Sequence, residues 1–152
     1  MWLRLTRIVP VVLLLGIWTS VPAYAHVTIA PAASQSDGHE RYTVRVPTER
    51  NVPTTSIELL VPDGVTVTGL LAPAGFTYEV KKAGDRIVAI TWRQEINPGE
   101  FGEFVFQARN PKGAQIVWPV RQHYADGTTI DWSGPAGSKT PAPVTTLKPA
   151  TR

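Results

Sequence analysis

The chain has 152 residues with 15 Lys and Arg against 12 Asp and Glu, 43% hydrophobic residues, no cysteine and a single methionine. That length suits one domain with a sizeable core, and the missing cysteines exclude disulfides, zinc–thiolate sites and cysteine-held iron–sulfur clusters. The modest excess of positive charge gives no reason to propose nucleic acid or an anionic membrane surface as a partner.

In chain order, the first element is a targeting segment. Arg4 and Arg7 give a short basic start, Ile8 to Trp18 form an apolar run, and Ala23-Tyr24-Ala25 supplies the small-x-small pattern of a signal peptidase site. A spanning helix needs about 20 apolar residues, and Pro10 within the run and Pro22 just beyond it interrupt any longer helix here. The expectation is a cleavable signal peptide over 1–25, export to the periplasm or the extracellular space, and no membrane span after processing. Removal takes Arg4 and Arg7 from the 15 basic residues and nothing from the 12 acidic ones, leaving a net charge near +1. Met1 leaves as well, so the mature chain offers neither thiolate nor thioether. Any metal must then be held by nitrogen and oxygen.

From residue 26 the hydrophobic pattern has period two. "RYTVRVP" sets Tyr42, Val44 and Val46 on one face, and "TSIELLVP" sets Ile57, Leu59 and Val61. "RIVAITW" offers Val88, Ile90 and Trp92, "GEFVFQA" offers Phe104, Phe106 and Ala108, and "QIVWPVRQHY" and "TTIDW" complete the set. Clusters such as Pro62-Asp63-Gly64, Ala83-Gly84-Asp85 and Asn97-Pro98-Gly99 separate these runs. Short strands at such spacing argue for an antiparallel β-sandwich over 26–133. No window carries a helical stripe. From Gly134 onward the chain is proline-rich with few large apolar residues, which reads as a flexible tail over 134–152.

Chemistry concentrates at the new N-terminus. Cleavage after Ala25 lets His26 offer its α-amine and ring Nδ1 to one cation, closing a six-membered chelate ring. The amine titrates near pH 7.7–8.0 in ordinary peptides, so a divalent metal displaces its proton at modest cost. Nitrogen and oxygen donors in a tetragonal plane suit Cu(II). The competing reading is an ordinary residue that happens to follow a cleavage site.

"AHVTIAP" at the start of the mature chain, "YTVRVPTERN", "NPGEFGEFVFQARNP" and "DGTTIDW" together, in this order, resemble the YcnI-like family of exported copper-binding domains. The resemblance implies an immunoglobulin-like β-sandwich that binds Cu(II) through a monohistidine brace. Carried over residue by residue, it implies that His26 supplies amine and imidazole, Glu49 in "VPTERN" supplies a carboxylate, and Trp132 in "DW" lies beside the metal. It also suggests a membrane copper importer or another periplasmic copper carrier as partner. Glu49 follows Pro47 at a strand end, where a loop side chain can turn over the edge; its plain alternative is a solvated loop residue beside Arg50.

Asp126-Gly127 between two strand runs signals a two-residue turn. In that register His123 faces Ile130 and projects from the same face as Trp132, close enough to join the site. His39, in "SDGHER", reads as solvated, and Glu95, Glu100 and Glu103 as strand-end charges. Two alternatives stand beside copper binding. One is a histidine-brace copper oxidase or monooxygenase, which needs a second imidazole and so His123. The other is a metal-free adhesion sandwich with Trp92, Trp118 and Trp132 as a stacking surface, although Trp92 and Trp118 alternate with aliphatics, as core residues do.

Overall fold

A computed structural model describes residues 25–149; the signal segment expected over 1–25 therefore lies outside it except for Ala25. Twelve strands are present and no helix among the described residues. One sheet has the order β1 (Thr28–Ala30), β3 (His39–Pro47), β8 (Phe101–Arg109), β5 (Thr66–Leu70). A second has the order β11 (Thr129–Trp132), β10 (Val120–Tyr124), β4 (Thr54–Leu60), β7 (Arg86–Ile96), β6 (Thr77–Ala83). A small third sheet joins β2 (Ala33–Gln35), β12 (Val144–Lys148) and β9 (Gln115–Val117).

The period-two faces meet between the two larger sheets. Tyr42, Val44, Phe104, Phe106, Ile57, Leu59, Ile90 and Trp92 are all buried. Trp92 of the second sheet stacks on Phe104 of the first with ring centroids 5.2 Å apart. Trp118 packs on Tyr42 at 4.9 Å and on Phe106 at 5.6 Å. Trp92 and Trp118 are thus core, and no stacking surface of three indoles exists. Truncating either to alanine should cost about 3–5 kcal/mol by the lost transfer energy and the cavity left behind.

The expected flexible tail is corrected over Val144–Lys148. This segment is the middle strand of the third sheet, antiparallel to β9 and parallel to β2. Its average composition hid a short alternation: Thr145 and Leu147 are buried while Val144, Thr146 and Lys148 face out. Thr145 Oγ1 accepts from Trp118 Nε1 at 3.1 Å and donates to the Pro31 carbonyl at 3.2 Å. Upstream, Gly134 and Pro141 form a bridge.

A second correction concerns the β10–β11 hairpin. Gln122 pairs with Ile130 and His123 with Thr129, one residue away from the register a two-residue turn would give. A type I′ turn needs positive φ at both central residues; Gly127 has φ 81° but Asp126 is not in the left-handed region. The Asp126 carboxylate instead accepts the Thr128 N–H at 3.0 Å and the Thr128 hydroxyl at 2.6 Å, which holds a three-residue loop. Because side chains alternate, a slip of one residue turns every side chain to the other face.

Candidate metal centre

Three segments converge at one end of the sandwich. The first is the N-terminal approach to β1. Val27 is 2% exposed and Ile29 7%, so these two anchor the segment in the core and leave His26 at the surface. The β1–β3 register pairs Thr28 with Arg45 and Ile29 with Val44. Continued backward, it brings His26 level with Pro47.

The second segment is the loop after β3. Thr48 is buried, its N–H donates to the Glu100 carbonyl at 2.9 Å, and its carbonyl accepts the Gly99 N–H at 2.8 Å. Glu49 therefore leaves a fixed point. Its Oε1 accepts a hydrogen bond from the main-chain N–H of Ala25. The carboxylate thus lies against the main chain one residue before His26. Arg50, next along, is turned away: it pairs with Asp126 at 3.1 Å, donates to the Thr128 hydroxyl, and lies 4.6 Å over the Tyr124 ring. The cation beside Glu49 is thereby engaged by the hairpin loop.

The third segment is β11. The Trp132 ring lies 5.8 Å from the His26 ring, tilted by 58°. The indole is 5% exposed, and its Nε1 donates to Gln122 Oε1 at 3.0 Å. Ala25, Pro47, Glu49, Arg50, Asn51, Tyr124, Ile130 and Trp132 line a cavity of about 360 Å3 here. Burial pushes the Tyr124 phenol above its ordinary value; the Arg50 guanidinium opposes this, and Glu49 and Asp126 add to it. Tyr124 is accordingly a neutral phenol at neutral pH and not an anionic donor. The Thr128 hydroxyl and N–H, aided by Arg50, hold Asp126 below the usual carboxylate value.

His26, Glu49 and Trp132, the three residues expected at a site, are thus brought together. His123 is not. The corrected register sends it to the outer face, where its Nδ1 lies 3.0 Å from Thr129 Oγ1. His39 begins β3 and is exposed. Among the described residues no three His, Asp or Glu side chains converge as a metal cluster.

The sequence reading missed Gln122. It is fully buried, and its Nε2 donates to the Pro47 carbonyl at 2.9 Å and to Thr54 Oγ1 at 2.8 Å. The available signal was a polar residue at an inward position between Val120 and Tyr124, readable only in the correct register.

Residues 26–148 match the family described as "Domain of unknown function (DUF1775)". The chain belongs to this family, that of the YcnI-like proteins. A member from Bacillus subtilis (strain 168), named copper-binding protein CutI, is 35% identical over 135 residues, covering 86% of this chain. The chain spans 66% of that relative's length. A crystal structure of an uncharacterized protein from Nocardia farcinica, described as having an immunoglobulin-like fold, superimposes with a TM-score of 0.70 at 30% identity. It covers 80% of this chain and 97% of its own. The sandwich is therefore immunoglobulin-like.

Proposed function

We propose that this family member is an exported copper-binding protein that holds Cu(II) at its mature N-terminus and buffers copper or hands it on. His26 supplies amine and imidazole, Glu49 supplies a carboxylate, and Trp132 walls the metal on the core side. The observation that carries this reading is the Glu49 carboxylate resting on the main chain at Ala25 while the His26 ring lies beside Trp132. Cleavage after Ala25 would put a primary amine next to that carboxylate. The copper-binding relative supports the choice of metal. Two nitrogens and one carboxylate suit Cu(II) and leave a site charge near +1.

Binding is favoured over oxygen chemistry. A two-imidazole brace needs a second ring at the metal, and His123 is held by Thr129 on the outer face. The receiving or supplying partner is another periplasmic copper carrier or a membrane importer, as the family resemblance suggests.

The deciding experiment compares the protein starting at His26 with one bearing a single extra alanine. The extension turns the amine into an amide, which must lose a far less acidic proton to bind. Loss of that donor and its chelate ring should cost about a thousandfold or more in Cu(II) affinity. Equal affinities and equal electron-paramagnetic-resonance spectra would reject the brace. Mass spectrometry of the exported protein should find His26 as its first residue.

A further inference from the structure

The two proposed ligands and the indole belong to different sheets. His26 leads into β1 and Glu49 follows β3, both in the four-stranded sheet, whereas Trp132 ends β11 in the five-stranded one. A metal centre shared between two packed sheets keeps its shape only if something fixes one sheet's edge against the other at that end. Hydrophobic packing is non-directional and tolerates sliding better than a hydrogen bond does.

Arg50 crosses to Asp126 at the surface and the Thr48 and Thr54 hydroxyls meet beneath it, but the side chain that joins Trp132 itself to the other sheet is buried. Gln122, on β10, accepts from the indole of Trp132 with its oxygen and donates to the Pro47 carbonyl and Thr54 hydroxyl with its nitrogen. Thr54 Oγ1 lies 2.7 Å from Thr48 Oγ1, so the chain of bonds reaches the residue just before Glu49. The order of the amide is forced by its partners. An indole N–H can only donate and a carbonyl can only accept, so oxygen must face Trp132 and nitrogen must face Pro47. No apolar residue of the same length can serve either end.

We propose that Gln122 is the positioning residue of the metal centre: one buried amide sets the indole of Trp132 and the strand end that carries Glu49 in register with each other. The proposal rests on the Cu(II) reading above, and Gln122 touches no metal. It acts through Trp132 on one side and through Pro47 and Thr48 on the other. Breaking the tether leaves every proposed ligand in the sequence and disturbs their mutual placement.

The test uses 15N-labelled protein starting at His26, in which Trp92, Trp118 and Trp132 supply the indole N–H signals; the signal lost in Trp132→Phe identifies Trp132. Cu(II) binding by the unsubstituted protein is measured first, and its failure rejects the brace without bearing on the tether. In metal-free Gln122→Met, exchange of the Trp132 indole proton should accelerate at least about tenfold. Exchange at Trp118, whose indole is held by Thr145, should stay unchanged. The Cu(II) dissociation constant should rise about tenfold, as loss of two or three buried hydrogen bonds near the ligands allows. Equal acceleration at Trp118 would mean general loosening and would overturn the proposal. So would an unchanged dissociation constant, or unchanged exchange at Trp132. Should Gln122→Met fail to fold, Gln122→Met/Trp132→Phe, which orphans no buried indole donor, is compared with Trp132→Phe alone. Weaker Cu(II) binding in the double variant supports the link to Pro47, and equal binding overturns it.

Discussion

The imidazole of His26 and the indole of Trp132 lie 5.8 Å apart, centroid to centroid, although 105 residues separate them in the chain. A paramagnetic Cu(II) on the imidazole would therefore sit within quenching reach of this indole. Titration with Cu(II) should quench the emission of the protein starting at His26, and Trp132→Phe should remove most of that quenching. Its affinity should change less than about tenfold, because the indole donates no ligand. Quenching that survives in full would place the metal near Trp92 or Trp118 and away from His26.

Glu49→Gln keeps the shape of the side chain and removes its charge. The amide oxygen is a weaker donor and no longer offsets the metal's charge, so Cu(II) affinity should fall at least about tenfold. Competition against a chelator of known strength reads the change. Unchanged affinity would make Glu49 a loop carboxylate that merely touches Ala25.

The oxidation state follows from the donor inventory. Residues 26–152 contain no cysteine and no methionine, so Cu(I), which prefers soft sulfur, should bind far more weakly than Cu(II). Parallel competitions with Cu(I)- and Cu(II)-selective chelators measure the ratio. A preference for Cu(I) would overturn the ligand assignment.

His123→Ala should leave Cu(II) affinity within about twofold and stability within about 1 kcal/mol, since the ring's hydrogen bond to Thr129 is at the surface. A large loss of affinity would return the second imidazole to the site and revive the oxidase reading.

Leu147→Asp buries a charge where the third sheet packs on the core. It should lower stability by about 3 kcal/mol or more, and denaturant unfolding with intrinsic fluorescence detects it. A change within about 0.5 kcal/mol would show that β12 contributes nothing.

The larger strands were legible because both big sheets bury only one face, so Tyr42, Val44 and Val46, or Phe104, Phe106 and Ala108, alternate cleanly with outward residues. The edge strand β6 was not legible: all seven of its residues are exposed, and its pairing with Arg86–Ala89 and Ile90–Arg93 of β7 leaves no buried face to pattern. β5 was hidden for a different reason, a register shift between Val67 and Gly69 that interrupts the alternation. At the site, His26 could be named from the cleavage pattern and the loop position of Glu49 followed from Pro47, whereas Trp132 was assigned only through the family resemblance. The placement of His123 could not be read, because whether an Ala-Asp-Gly loop turns in two residues or three depends on the bonds Asp126 makes to Thr128 and Arg50.

The parallel pairing of β12 with β2 matches Thr146 to Ala33 and Lys148 to Gln35, more than a hundred positions along the chain. This has a consequence for the order in which the sandwich can be assembled. During synthesis β2 emerges early and must wait without its partner until almost the whole domain has been made. Trp118 waits as well, for the hydroxyl of Thr145. Such distant pairing raises the mean sequence separation of contacts and slows folding, because loop closure must precede the gain from the contact. The third sheet, which holds β2 and β12, therefore cannot close until synthesis has passed Lys148.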